Sequence, residues 1–132
     1  MRVAKWPAGS TVHIVSVYDQ IKPTAIGSLV PPIVKLAKEE EELELEWARG
    51  AIDQAAKELA AAGLTVTKVL LPGDPRRILV DEAKSTDSDC IFVGARGLTR
   101  VPRLLLGSVS AAVTARAECS VEVVRTNVRD SP

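Results

Sequence analysis

Between Ile91 and Val113 the chain reads IFVGARGLTRVPRLLLGSVSAAV, and this stretch restricts the fold more than any other. A short apolar segment, Cys90 to Val93, runs into Gly94. Gly97 and Gly107 follow, and Gly107 leads through Ser108, Val109 and Ser110 into an alanine-rich run. The spacing Gly-x2-Gly-x9-Gly-Ser-x-Ser predicts a strand, a loop and a helix. Glycine lets the backbone take positive φ and approach a ligand closely. Ser108 can cap the helix, whose first N–H groups and dipole favour an anion. Loops at the carboxyl ends of strands are where open α/β sheets bind ligands. A bare Gly-x2-Gly would be only a turn; the longer spacing in this context suits a phosphate-binding loop. Two other phosphate motifs are missing, Gly-Lys-Ser/Thr and a Gly-x-Gly-x-x-Gly after a strand.

The rest of the chain alternates in period. Met1 to Ser10, with Trp6-Pro7 and Gly9-Ser10, reads as a loop. Thr11 to Tyr18 is a β-branched strand suited to cover on both faces. It carries His13, read as a strand residue and not a catalyst. Asp19 to Pro32 is a long Pro-, Gly- and Ser-rich loop, read either as cover for a site or as a mobile segment. Ile33 to Ala62 is a long helix. Leu43, Trp47, Ala51, Ala55, Leu59 and Ala62 form its expected buried stripe. Glu39 to Glu42 form a solvated face, expected to pair in part with Lys35 and Lys38. Gly63 is the expected cap. Leu64 to Leu71 is a strand. Pro72-Gly73-Asp74 makes a turn, with Asp74 as cap and Pro75 as first residue of a helix running to about Lys84. Ser85 to Asp89 is a polar loop, Ser108 to about Ala117 a helix, Val121 to Val124 the last strand, and 127–132 a frayed tail. Leu104 to Leu106 read as packing residues. Arg96, Arg100 and Arg103 are the cations of the glycine loop, read as solvated, with one of them a candidate for the phosphates. The order β, α, β, α, β, α, β predicts an α/β fold, a parallel sheet with helices on both faces.

Length and charge narrow the function. At 132 residues the chain is expected to form one domain, 1–132. It is 46% hydrophobic but only 3% aromatic, so its core must be built from Val, Ile, Leu and Ala. Seventeen Lys+Arg balance 17 Asp+Glu, which argues against a general nucleic-acid or anionic-membrane partner. No apolar run approaches the roughly 18 residues of a membrane span, and the start lacks the apolar region of a signal peptide; a soluble, cytoplasmic chain is expected. Cys90, Cys119 and His13 give no ordinary zinc spacing. The cysteines open neighbouring strands and read as reduced, packed thiols.

The glycine spacing resembles the nucleotide loop of the universal stress protein family, in its ATP-binding branch. Val12 to Asp19 (VHIVSVYD) resembles the family's second strand, Gly73 to Pro75 the turn into its third helix, and Cys119 to Arg125 (CSVEVVR) its last strand. The likeness runs in order from Trp6 to Arg125. It implies a three-layer α/β/α, adenine-nucleotide-alpha-hydrolase-like fold with strand order 3-2-1-4-5. It also implies an N-terminally truncated version of that fold, because the family's first strand, ending in an aspartate that contacts the adenosine part, and its first helix have no counterpart in the sequence. The pairs 2–3 and 4–5 are then expected to lack a bridge, each leaving unpaired N–H and C=O groups along an edge.

The resemblance implies a nucleotide-binding protein of the stress response, with ATP, alone or with Mg, as ligand. Gly94 opens the loop, and backbone N–H groups around Gly97, Gly107, Ser108 and Val109 would hold phosphate oxygens. The hydroxyls of Ser108 and Ser110 would donate as well. Val93 takes the place beside adenine, and Val17 is either an adenine contact or core. The loop offers no general base, lysine or metal carboxylate, so a sensor or carrier is expected and not a fast enzyme, with slow hydrolysis as the upper bound. A homo-oligomer is expected, strand-exchanged or paired through the last strand. The alternative is an oligomeric scaffold that has lost its nucleotide with the first strand.

Overall fold

The computed structural model describes residues 6–19, 31–95 and 106–125. Among them the order is β1 (Thr11–Tyr18), α1 (Pro31–Ala61), β2 (Thr65–Pro72), α2 (Pro75–Ser85), β3 (Cys90–Gly94), α3 (Ser108–Arg116) and β4 (Ser120–Val124). This is the α/β alternation expected from the sequence. The segment between β1 and α1, the Arg96–Leu105 part of the glycine loop and the C-terminal tail lie outside the described residues. The chain divides into two compact units, Met1–Asp74 and Pro75–Pro132.

In the first unit β1 and β2 pair in parallel, from Thr11 opposite Thr65 to Tyr18 opposite Pro72. His13 faces Thr67 across this pair, and its Nδ1 lies 2.7 Å from the Thr67 hydroxyl. The imidazole is a strand residue, as expected. Gly73 closes the carboxyl end of the pair: it has φ 135° and donates its N–H to Tyr18 O at 3.0 Å. Helix α1 packs on both strands. It begins at Pro31, two residues before the expected start, because proline's fixed φ suits a helix's opening turn and its missing N–H would have had no partner there. It ends where expected. Gly63 has φ 88° and donates to Ala60 O, while Leu64 donates to Leu59 O. That is the two-bond cap that glycine permits by taking the left-handed region.

The buried face of α1 differs from the expected stripe. Ala48 and Ile52 are buried and Ala55 and Leu59 half-buried, but Leu43, Trp47, Ala51 and Ala62 are exposed. The expected stripe followed the largest apolar side chains. Ala48 and Ile52 take the places expected of Trp47 and Ala51. Ala55 and Leu59 lie on the observed face as expected, and Val34, Ala37, Glu41 and Leu45 continue that face half-buried toward the start of the helix. A 31-residue helix is about 46 Å long at 1.5 Å per residue. The eight-residue strands reach only about 26 Å. The helix is therefore longer than the strands it packs on. Among the described residues no ion pair joins Glu39–Glu42 to Lys35 or Lys38, contrary to expectation; Glu39, Glu40 and Glu42 are exposed, as expected, and Glu41 is half-buried. The side-chain pair that does tie α1 to the sheet is Lys68 to Asp53, both about half exposed.

In the second unit β3 and β4 pair in parallel, with Cys90 opposite Ser120 and Val93 opposite Val123. Ile91, Val93, Val121 and Val123 share one half-buried face, and Phe92 and Val124 lie exposed on the other. Helix α3 packs on α2 and on β4. Its Val113 is fully enclosed. Cys90 and Cys119 are both free thiols, half-buried, Cys90 as the first residue of β3 and Cys119 just before β4. Burial pushes the Cys90 thiol above its ordinary pKa, so it stays protonated at neutral pH. Each sheet has two strands, β1–β2 and β3–β4, and among the described residues no strand bridges the pairs.

Helix α2 ends in the same capping geometry as α1 but without a glycine. Asp87 has φ 51° and donates to Lys84 O, and Ser88 donates to Ala83 O. A non-glycine residue there carries a steric cost of about 1 kcal/mol. Asp87→Gly should therefore raise urea-unfolding stability by up to about 1 kcal/mol, and Asp87→Val should lower it by about as much or more. A second expectation concerns Asp53. The hydrogen bond from Lys68, and then its charge, hold the Asp53 carboxyl below the usual range. A depressed carboxylate contributes stability that is present above the unfolded pKa of about 4 and is lost as pH falls through the folded value. An NMR titration should find Asp53 titrating below an ordinary aspartate, and Lys68→Met should return it to the ordinary range.

Candidate functional site

The site begins where β3 ends. After Gly94 the chain passes through Ala95, which is buried and whose N–H donates to Val124 O at 2.9 Å. This extends the β3–β4 ladder by one residue. The Ala95 carbonyl then accepts the Gly107 N–H at 2.8 Å and the Ser110 hydroxyl at 3.2 Å. Residues twelve apart in the chain are thus joined by backbone.

Gly107 is the N-cap of α3. Its φ of −59° is one that any residue adopts, so positive φ is not what calls for glycine here. Ser108, expected as the cap, is instead the first helical residue and is exposed; no side chain caps the helix. The physical reason is the Ala95–Gly107 bond, which fixes Gly107 as the last non-helical residue. The Gly107 carbonyl accepts from Ala111 at 3.0 Å, starting the helical ladder. The N–H groups of Ser108, Val109 and Ser110 precede that ladder, and such groups have no acceptor within their own helix. The positive end of the dipole lies here too.

Ser110 behaves differently from its expected role. It is 1% exposed. Its hydroxyl reaches inward to Ala95 O and, at 3.0 Å, to Gly107 O. A hydroxyl has one proton, and here it is engaged by the two ends of the loop. The Ser110 hydroxyl is therefore not a phosphate donor; its backbone N–H keeps the place in the first turn. Thr114 donates to Ser110 O at 2.7 Å, steadying the same turn.

Of the residues singled out in the sequence, Val93, Gly94, Gly107, Ser108, Val109 and Ser110 come together around the end of β3 and the start of α3, all within the second unit. Val17 lies in the first unit, half-buried on β1 opposite Leu71. Gly97 and the three arginines lie outside the described residues. The residue that the sequence reading missed is Ala95. The only signal for it is a small side chain between Gly94 and Arg96, which a close approach of two backbones requires. Among the described residues no three His, Cys, Asp or Glu side chains are grouped to hold a metal ion, and no helix is long and apolar enough to cross a membrane.

What this arrangement can do is bind an anion against backbone. Comparison with known proteins places it in a family. Residues 1–125 match the model of the universal stress protein family. The universal stress protein Sll1388 of Synechocystis is 36% identical over 94 residues, 70% of this chain and 58% of its own length, so the chain spans little more than half of that relative. The universal stress protein MJ0577 of Methanocaldococcus jannaschii is 31% identical over 113 residues, 80% of this chain and 70% of its own. Its solved structure superposes with a TM-score of 0.73, at 26% identity, covering 96% of this chain and 82% of that one. A universal stress protein family protein of Arabidopsis thaliana, solved with AMP bound, shares the fold at a TM-score of 0.55 and 21% identity, covering 91% of this chain and 68% of that one. The parallel α/β architecture and the family match over residues 1–125 lead to one conclusion: the chain belongs to the universal stress protein family.

Proposed function

We propose that this chain binds an adenine nucleotide, with ATP as the ligand, at the glycine loop between β3 and α3, and that it serves the stress response as a nucleotide sensor or carrier. The observation that carries the reading is the uncapped start of α3, tied to the end of β3 through Ala95 and Gly107. Phosphate oxygens would accept from the N–H groups of Gly97, Ser108, Val109 and Ser110 and from the exposed Ser108 hydroxyl. Gly107 would admit them by having no side chain. Val93 and Gly94 would lie beside the base and sugar. Magnesium would arrive with the phosphates of Mg-ATP. A relative of this fold with AMP bound supports the ligand class. The proposed role is binding and release, with hydrolysis at most slow, because the loop's sequence offers no general base, lysine or metal carboxylate.

A second reading is favoured by the sheets. β1 and β3 each pair on one edge only among the described residues, and open edges of parallel strands seek another strand. In this reading the protein is a homo-oligomer whose subunits complete each other's sheets, by strand exchange or through β4, with or without nucleotide.

Calorimetric titration with Mg-ATP tests the first reading. Saturable binding is expected, weakened by roughly tenfold or more in Gly107→Val, where a β-branched side chain meets the phosphate. The φ at Gly107 suits valine, so the variant should melt close to the parent. No saturation up to millimolar ATP would leave the oligomeric scaffold as the function. Ser110→Ala provides an independent check on the loop's base. It removes the hydroxyl that joins Ala95 and Gly107, and it should cost about 1 kcal/mol of stability by urea unfolding while also weakening ATP.

A further inference from the structure

The first half of α1 carries an apolar stripe that its own sheet does not cover. Ile33, Leu36, Leu43 and Trp47 are exposed by 47%, 61%, 66% and 64%. At 3.6 residues per turn they fall on one side of the helix, roughly 130° around from the buried face of Ala48 and Ile52. Their spacing of three, seven and four residues is that of a and d positions in a heptad: Ile33, Glu40 and Trp47 at a, Leu36 and Leu43 at d. Exposed apolar residues scattered singly need no explanation, but four in one helical row do.

Charge decides what the row is built to meet. The positions flanking it are Glu39 and Glu46 on one side and Glu44 on the other, and Glu40 interrupts the row itself. Lys35, Lys38 and Arg49 lie away from the seam. None of Glu39, Glu40, Glu44 and Glu46 is held in an ion pair among the described residues. A second copy of α1 laid on this row would bring carboxylates against carboxylates in either direction, and a purely apolar partner would cover Glu40 without answering its charge. The complement is a helix with an apolar seam flanked by lysine or arginine, with a cation set to reach Glu40.

We propose that the Ile33–Trp47 face of α1 is a docking surface for a basic amphipathic helix of a partner protein, separate from the nucleotide loop. Apolar contact along Leu36, Leu43 and Trp47 would supply affinity, and the four glutamates would supply selectivity and speed of encounter.

The test uses the intact chain and a fluorescent three-heptad peptide with Leu at a and d and Lys at e and g. Fluorescence anisotropy should show saturable binding that falls as salt rises. Leu43→Gln with Trp47→Gln should weaken it roughly tenfold or more, and Glu44→Lys with Glu46→Lys should weaken it chiefly at low salt. These side chains are exposed, so circular dichroism and melting should stay near the parent's. A peptide with Glu in place of every Lys should not bind. Equal binding by the Leu43/Trp47 variant, no saturation up to millimolar peptide, or a dimer of the chain itself that Leu43→Gln dissociates would each overturn the proposal.

Discussion

The candidate site depends on one backbone hydrogen bond, from Gly107 N–H to the Ala95 carbonyl. It joins the end of a strand to the start of a helix twelve residues further on. Because Ala95 also donates to Val124, the bond ties the loop's base into the β3–β4 ladder. Ser110 reinforces the same junction from within the helix. A neutral hydrogen bond contributes only about 1 kcal/mol net. What this one adds is placement: it sets where α3 begins, and hence where three helical N–H groups stand without partners of their own. Anion affinity at such a place comes from orientation fixed in advance, with no side-chain charge required.

Much of this was legible in the sequence, because its signals are local. The β-branched runs gave β1 and β2, Gly63 marked the end of α1, Pro75 opened α2, and the glycine spacing located the turn between β3 and α3. The parallel pairs β1–β2 and β3–β4 are those expected from the family's strand order. What escaped were choices made by neighbours distant in sequence. Serine at a helix start usually caps, and only the Ala95 bond moves the cap to Gly107. Ser110 looks like a ligand donor until its burial is known. Ala95 has no motif value of its own.

Helix α1 shows the same limit differently. Periodicity finds apolar rows but does not say which row meets the sheet. α1 has two, and the one with the larger side chains is the exposed one. Ala48 and Ile52 meet the sheet, and Leu36, Leu43 and Trp47 stay uncovered because they lie roughly 130° around the helix from them. The left-handed Asp87 was equally hidden, since aspartate in a polar loop gives no sign of the cap it forms.

The central claim is that the start of α3 receives phosphate on its backbone. Amide-resolved NMR during titration with ATP and, separately, with adenosine tests this most directly. The account predicts that ATP moves the N–H signals of Ser108, Val109 and Ser110 the most, and that adenosine leaves them nearly in place. Unmoved α3 amides at saturating ATP, or equal shifts with adenosine, would contradict it.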